Sequence, residues 1–497
     1  MGVGAKKPVN IFRLKDLGEP EGALNWRLWF AVFSFGLLGA ARGIDEGLIS
    51  GAFNSDHFKE SIHYASYNKV DQANIKANVS AMVQIGSVAG ALFPIYVAEI
   101  TPASIRGLCT CFFTGAVYLG VLLAYFANYG CQLHMSDDSA DQWLVPTSLH
   151  IIMSGLIFVL SFFQNESPRY LIKEGKVEQA VNNLARLRQQ SPDSDYIVRE
   201  IALIQAALDH ELEASRGVGF LGKVKELLLD KSNLYRVYLS SMVQLLSQWS
   251  GAGSITLYAP DLFKILGITG TNESLLVTAV FGLVKFVSAM VCALFLVDVI
   301  GRKRALLSGI TLQAISMIYV AGFLTAVPQL GTEEDFILPE AMKGPSRGAV
   351  AMIYISGCGW ALGWNSMQYL LTAELYPLRV RALATSWAMC LHFANQYGNS
   401  RAVPVMLLNI SQGGISPKGT FWCFAAVTIV GGAWVWFFVP ETGGRSLESM
   451  DRLFDLPWYK IGLHGNKDAE EKDMAVDEKQ RMAEEEYANV QQVELKA

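Results

Sequence analysis

Long apolar stretches alternate along this chain with short polar and charged ones. Apolar runs long enough to cross about 30 Å of hydrocarbon occur at 28–50, 77–98, 108–129, 146–163, 235–258, 275–299, 305–327, 348–371, 384–408 and 419–439. They predict ten transmembrane helices and an all-α fold. Between the fourth and fifth runs, residues 166–234 are polar. Within them, "GKVEQAVNNLARLRQ" and "YIVREIALIQAALDHELEAS" repeat apolar residues at helical spacing. That pattern predicts short cytosolic helices bracing two membrane bundles, 28–165 and 235–439.

Composition supports this class: 52% of the 497 residues are hydrophobic and only 17% are charged. Charge then sets the expected orientation. Residues 1–27 carry Lys6, Lys7, Arg13 and Lys15 without the apolar core and cleavage site of a removable leader, so the N-terminus is expected in the cytosol. Ten spans would return the C-terminus there, and "GRKR" (301–304) and "PLRVRA" (377–382) would also lie inside, as the positive-inside rule asks. The net charge of −5 owes much to the acidic tail within 440–497, which reads as a solvated extension. Six of seven cysteines fall in spans, with Cys131 expected in an outer loop, so no disulfide framework is indicated. No metal-ligand spacing, phosphate loop or catalytic triad is present. The reading is therefore a non-enzyme without cofactor or nucleic-acid partner, whose surroundings are the lipid bilayer.

An internal repeat sharpens the picture. "AEITPASIRG" (98–107) and "AELYPLRVRA" (373–382) share Ala-Glu-apolar-x-Pro-x-x-β-branched-Arg-small in register, each after a span. "NESPRYL" (165–171) and "PETGGRSLE" (440–448) each close a block of spans. Two such halves are the mark of a transporter built from parallel repeats. They are unequal: four spans precede the polar middle and six follow it. In the first half, "GSVAGAL" runs straight into "PIYVAEI", with no basic turn between them.

These segments, with "DVIGRKR" (298–304), resemble the cytoplasmic signature loops of the sugar-porter family of the major facilitator superfamily. The resemblance covers essentially the whole chain. Finer detail in "QWSGAGSITLYAPDLF" (248–263), "GWALGWNSMQYLLTAELYPLRVRA" (359–382) and "LHFANQYGNSRAVP" (391–404) is similar to the fungal quinate-permease branch. The resemblance implies two six-helix bundles rocking about a central site in a membrane, expected to be the plasma membrane. It also implies proton symport of a small molecule, quinate or a sugar-like compound. It names an absence too: the family has a "GRR"-like turn, a third helix and the outer part of a fourth where this chain passes directly through Leu92–Pro94. The second and fourth helices of that fold run in the same direction, so joining them preserves the side of every later loop.

Ionisable residues at membrane depth are costly unless paired or wet, which makes them functional candidates. "ARGIDEGLISG" (41–51) places Arg42, Asp45 and Glu46 in the first span. Asp45 matches the acidic residue of the family's "GYD" element, which makes it the candidate proton carrier, with Glu46 sharing the role. Alternatively, Arg42 and Glu46, four apart, neutralise each other. The family's cationic partner for this acid lies in the missing segment.

Lys285, mid-span, either attracts a substrate carboxylate in a central cavity or packs against Glu or carbonyl partners. Arg401 is a second anion contact or snorkels to headgroups. By resemblance, Gln248 aligns with a substrate-binding Gln, and Asn365, Gln368 and Tyr369 replace a Pro-rich turn ending in Trp. His392 and Gln396 form a further polar cluster. Hydrogen bonding among helices is the alternative for each of these. Thr114 and Gly253 stand where the family has amides that contact sugars, which favours a cyclic polyhydroxy acid over a hexose. Glu99, Arg106, Glu166, Arg169, Asp298, Arg302, Glu374, Arg381, Glu441 and Arg445 fall in the signature loops, where the family uses a salt-bridge network as a cytoplasmic latch. The competing possibility is a truncated isoform that transports nothing.

Overall fold

The structure is a computed structural model describing residues 24–90, 100–101, 106–215, 219–296, 300–333, 336–442 and 447–463. The Leu92–Pro94 junction and the acidic tail beyond 463 lie outside the described residues. All regular structure among the described residues is helical.

The first half supplies α1 (Trp26–Ala52), α2 (Lys69–Gly90), α3 (Arg106–His134) and α4 (Asp141–Ser161). The polar middle forms helices Pro168–Lys173, Val177–Arg188, Asp195–Ser215 and Phe220–Leu229, the second and third of which cover the two stretches of helical periodicity. The second half supplies α5 (Lys231–Trp249), α6 (Ala252–Leu257), α7 (Ala259–Ile265), α8 (Thr271–Val291), α9 (Arg302–Ala326), α10 (Glu340–Trp360), α11 (Ser366–Leu375), α12 (Leu378–Met406) and α13 (Ser416–Phe438).

Helix starts follow local chemistry. The Asn25 side chain caps α1 by accepting from the amides of Arg27 and Leu28 at 2.8 and 3.2 Å. Asp230 caps α5 by accepting from Asn233 N at 3.1 Å. Gly251 has φ +87°, a left-handed conformation that lets the chain break between α5 and α6 at little steric cost. A side chain there would also meet the Phe424 ring.

Among the described residues, six helices are long and apolar enough to cross a membrane: Trp26–Ile49, Thr114–His134, Asp141–Ser161, Thr271–Val291, Arg302–Ala326 and Ser416–Phe438. The other four expected spans fall on α2, α5 with α6, α10 with α11, and α12. These helices carry Gln244, Gln248, Asn365, Gln368, His392 and Gln396 within their apolar stretches, and Lys76 immediately precedes that of α2. That polarity has a physical reason: α2 packs along α12 and α3 along α8. Of the four, α2 and α12 face each other across the boundary between halves and need fewer lipid-compatible positions there. Cys131, expected in a loop, is buried near the end of α3.

Within the first half, α1 and α3 pack most extensively. A methyl at Gly43 would overlap the Val117 carbonyl, and one at Gly120 the Ala40 carbonyl. Small residues here let two backbones touch, the usual means of helix association in lipid. In the second half, Phe281, Trp364, Phe421 and Phe424 are buried in one large apolar core. The middle helices are tied to both halves: Asn25 Nδ2 donates to Leu187 O at 2.7 Å, and Arg379 pairs with Glu226.

Candidate substrate cavity between the halves

A cavity of about 50 Å³ lies between the two halves. At about 10–15 Å³ per water, it has room for several water molecules. Arg42 and Glu46 on α1 and Thr114 and Tyr118 on α3 line one side. Facing them are Gln248, Thr256, Lys285, Trp360, Asn365, Gln368, Tyr369, His392 and Gln396. Two departures from regular helix place this second wall. The break at Gly251 separates Gln248 from Thr256, and a π-helical segment, Ala361–Asn365, joins α10 to α11 and brings Asn365 to the cavity.

One polar chain crosses from half to half. Arg42 and Glu46 sit 3.6 Å apart as an i,i+4 ion pair. Gln396 joins both, accepting from Arg42 Nη2 at 3.2 Å and donating to Glu46 Oε1 at 3.0 Å. Arg42 Nη1 donates to Tyr369 Oη at 3.4 Å, and that hydroxyl lies 3.3 Å from His392 Nε2. His392 Nδ1 in turn lies 3.0 Å from Gln244 Oε1 and 3.2 Å from Gln248 Nε2, so the imidazole tautomer selects which of the two amides it bonds.

The second cluster surrounds Lys285, which is 2% exposed. Its ammonium donates to Thr256 Oγ1. It stands 4.7 Å from the centre of the Tyr118 ring and 5.4 Å from that of Phe281, both cation–π distances. Lys285 makes no carboxylate ion pair among the described residues. Tyr118 donates to Asn365 Oδ1 at 3.3 Å and accepts from Trp360 Nε1 at 2.5 Å. Asn365 Nδ2 is buried without a hydrogen-bond partner among the described residues. The cavity wall therefore contains a buried lysine amine and an amide donor without a partner among the described residues.

Nine residues marked in the sequence line this cavity: Arg42, Glu46, Gln248, Lys285, Asn365, Gln368, Tyr369, His392 and Gln396. Two do not. Asp45 pairs with His150 of α4, away from the cavity, and Arg401 Nη2 donates to Asn74 Oδ1 at 3.0 Å near the far end of α12. Tyr118, Thr256 and Trp360 went unmarked. Tyr118 follows Thr114 by one helical turn, a spacing that would have found it.

Among the loop charges, Arg302 Nη2 donates to Glu374 Oε1 at 3.2 Å, and Thr442 Oγ1 donates to Glu374 Oε2 at 2.6 Å. Glu441 accepts from the amides of Arg302 and Lys303 at 2.7 and 3.1 Å. Arg381 donates to the Tyr376 carbonyl through Nε and Nη2 at 3.0 and 2.9 Å. Glu166 is exposed, and Arg169 lies in the helix Pro168–Lys173. Glu99, Asp298 and Arg445 lie outside the described residues, as does the side chain of Arg106. Among the described residues, no group of three His, Cys, Asp or Glu side chains is placed to hold a metal ion.

Residues 84–454 match the family model described as "Sugar (and other) transporter". The chain belongs to this sugar-porter family of the major facilitator superfamily. A probable quinate permease of Aspergillus niger is 28% identical over 89% of this chain and 90% of its own length. A quinate permease of Neurospora terricola is 26% identical over 97% of this chain and 100% of its own. Among solved structures, the proton:xylose symporter XylE bound to 6-bromo-6-deoxy-D-glucose superposes with a TM-score of 0.66 at 20% identity, covering 86% of this chain and 99% of that one. Inward-open XylE from E. coli gives 0.59 at 20% identity, over 86% and 99%. The shared fold is that of a secondary transporter with its cavity between two helical bundles.

Proposed function

We propose that this sugar porter takes up quinate or a related polyhydroxy acid together with a proton, by alternating access. The observation that carries the reading is Lys285: a cation buried in a polar cavity, held by a hydroxyl and two ring faces rather than by a carboxylate. Burying an unpaired charge is expensive, and an incoming carboxylate would offset that cost. The free Asn365 amide donor and the Gln248 amide suit the hydroxyls of the same ligand. The quinate permeases among its relatives agree with this choice over a hexose. Glu46, in the cavity and in contact with Arg42 and Gln396, is the carboxylate best placed to exchange a proton there. Asp45, paired with His150, remains a second candidate. The chain is read as a ten-span protein of the plasma membrane with both termini cytosolic. The charges around Arg302, Glu374 and Glu441, bonded to one another within the second half, are that half's contribution to its cytoplasmic latch.

A second reading, a non-transporting short form, is favoured by length. The alignment with the Neurospora terricola permease runs over 548 positions, more than the 497 residues of this chain, so that relative carries segments lacking here. Uptake of labelled quinate by cells expressing this chain separates the two. The first reading expects uptake that rises as external pH falls, and Lys285→Gln should reduce acid uptake by about tenfold or more while affecting hexose uptake less. Absence of uptake from protein verified at the surface supports the second reading. Equal losses for acid and hexose would remove the carboxylate assignment.

A further inference from the structure

The two halves also meet at the end of the bundle away from the middle helices. The start of α1 is tied to Leu187 in those helices and the start of α12 to Glu226. Asn54 after α1, Asn74 and Lys76 in the first turns of α2, and Arg401 near the end of α12 therefore lie at the opposite end, together with α7. There, Lys76 Nζ pairs with Asp261 Oδ2 at 2.5 Å. The same ammonium stands 5.4 Å from the Phe53 ring and 5.9 Å from the Tyr258 ring, one from each half. Lys264 Nζ donates to Asn54 Oδ1 at 2.9 Å, and Arg401 Nη2 donates to Asn74 Oδ1 at 3.0 Å.

All three bonds join a first-half residue to a second-half residue. The Lys76 side chain is 15% exposed and that of Asp261 33%, so the ion pair is better shielded than a surface one. Other charges close by are Lys59 and Asp56, which pair with each other at 2.8 Å. Their mutual pairing leaves Asp261 as the carboxylate that holds Lys76. Rocking two bundles about a central cavity must separate one end while the other stays shut. A bond confined to one end and shared between halves is broken by that separation and restored by closure.

We propose that the Lys76–Asp261 ion pair, flanked by Asn54–Lys264 and Asn74–Arg401, is the latch that closes the transport path at the end away from the middle helices. It rests on the alternating-access reading but not on the substrate assigned. Arg401 then acts in closure rather than in holding a substrate. The latch biases two nearly equal states, so its loss shifts their populations without unfolding either.

The test uses Val117→Cys in the full chain as a reporter, since Val117 lines the cavity. The parent without the reporter serves as the blank. A membrane-impermeant maleimide is applied to intact cells and, separately, to inside-out vesicles. Asp261→Asn and Lys76→Gln, which keep side-chain size, should each speed labelling from the outside by about fivefold and slow it from the inside. The charge exchange Lys76→Asp with Asp261→Lys should return both rates towards the parent's. Unchanged rates in both single variants, or a rise from both sides as local unfolding would give, overturns the latch. Sided labelling that moves as expected without any quinate uptake would sustain the latch and count against the substrate reading instead.

Discussion

At the scale of single residues, helical phase decided which charges of the first span reach the cavity. Arg42 and Glu46 are separated by about 40° around the axis, whereas Asp45 sits about 100° from Glu46. The first two therefore share the face toward Tyr369 and Gln396, and Asp45 turns to α4 and His150. The same arithmetic separates Arg401 from Gln396, five residues back, by more than a turn's length and by about 140°. Tyr369 is the residue on which the polar chain hinges, since its hydroxyl serves both Arg42 and His392. Tyr369→Phe keeps the ring and leaves two buried groups short of a partner, at a cost of about 1–2 kcal/mol. We expect the half-saturating substrate concentration for uptake to rise by roughly tenfold with surface expression unchanged. An unaltered value would place the hydroxyl outside the transport site.

At the scale of elements, close approach of α1 and α3 depends on the absence of side chains at Gly43 and Gly120. Gly120→Ala forces a methyl against the Ala40 carbonyl, an overpacking cost of about 1–3 kcal/mol. Gly155 on α4 is the contrasting case, with open space where its methyl would go. Gly155→Ala should be neutral or slightly stabilising, because alanine favours helix by up to about 1 kcal/mol over glycine. Thermal unfolding of the purified variants checks the pair, with a fall in Tm expected for Gly120→Ala alone. The helices along the cavity show why apolarity marks some spans better than others. The largely exposed α4 is apolar through most of 151–160, whereas α5, α11 and α12 exchange apolar positions for Gln244, Gln248, Gln368, His392 and Gln396. Their polar groups find partners in one another, which is how such residues are accommodated in a membrane helix.

At the scale of the whole molecule, the second half has a large continuous core, while the first is built from fewer long helices. If the junction at Leu92–Pro94 marks a lost hairpin, reinserting a basic turn and two helical segments there should add wall to the cavity and cover for α1. Uptake by the restored chain is expected to exceed that of the present one by about tenfold or more, through a larger competent population. Comparable uptake by both chains, normalised to surface protein, would show that the shorter half is sufficient. The result bears on the relatives as well, since their greater aligned length is where the extra segments reside.

The sequence by itself determined the helical class and the helices of the polar middle stretch, because hydrophobic length and periodicity are properties of local order. It also marked most of the cavity residues, because a lysine, a histidine and several amides at membrane depth stand out against apolar neighbours. Tertiary structure alone decided which of them meet. Whether Lys285 faces a carboxylate or a threonine, whether Asp45 enters the cavity, and whether Lys76 finds Asp261 depend on helix rotation and on contacts between residues far apart in the chain. Nothing in the spacing of one helix carries the position of its partner.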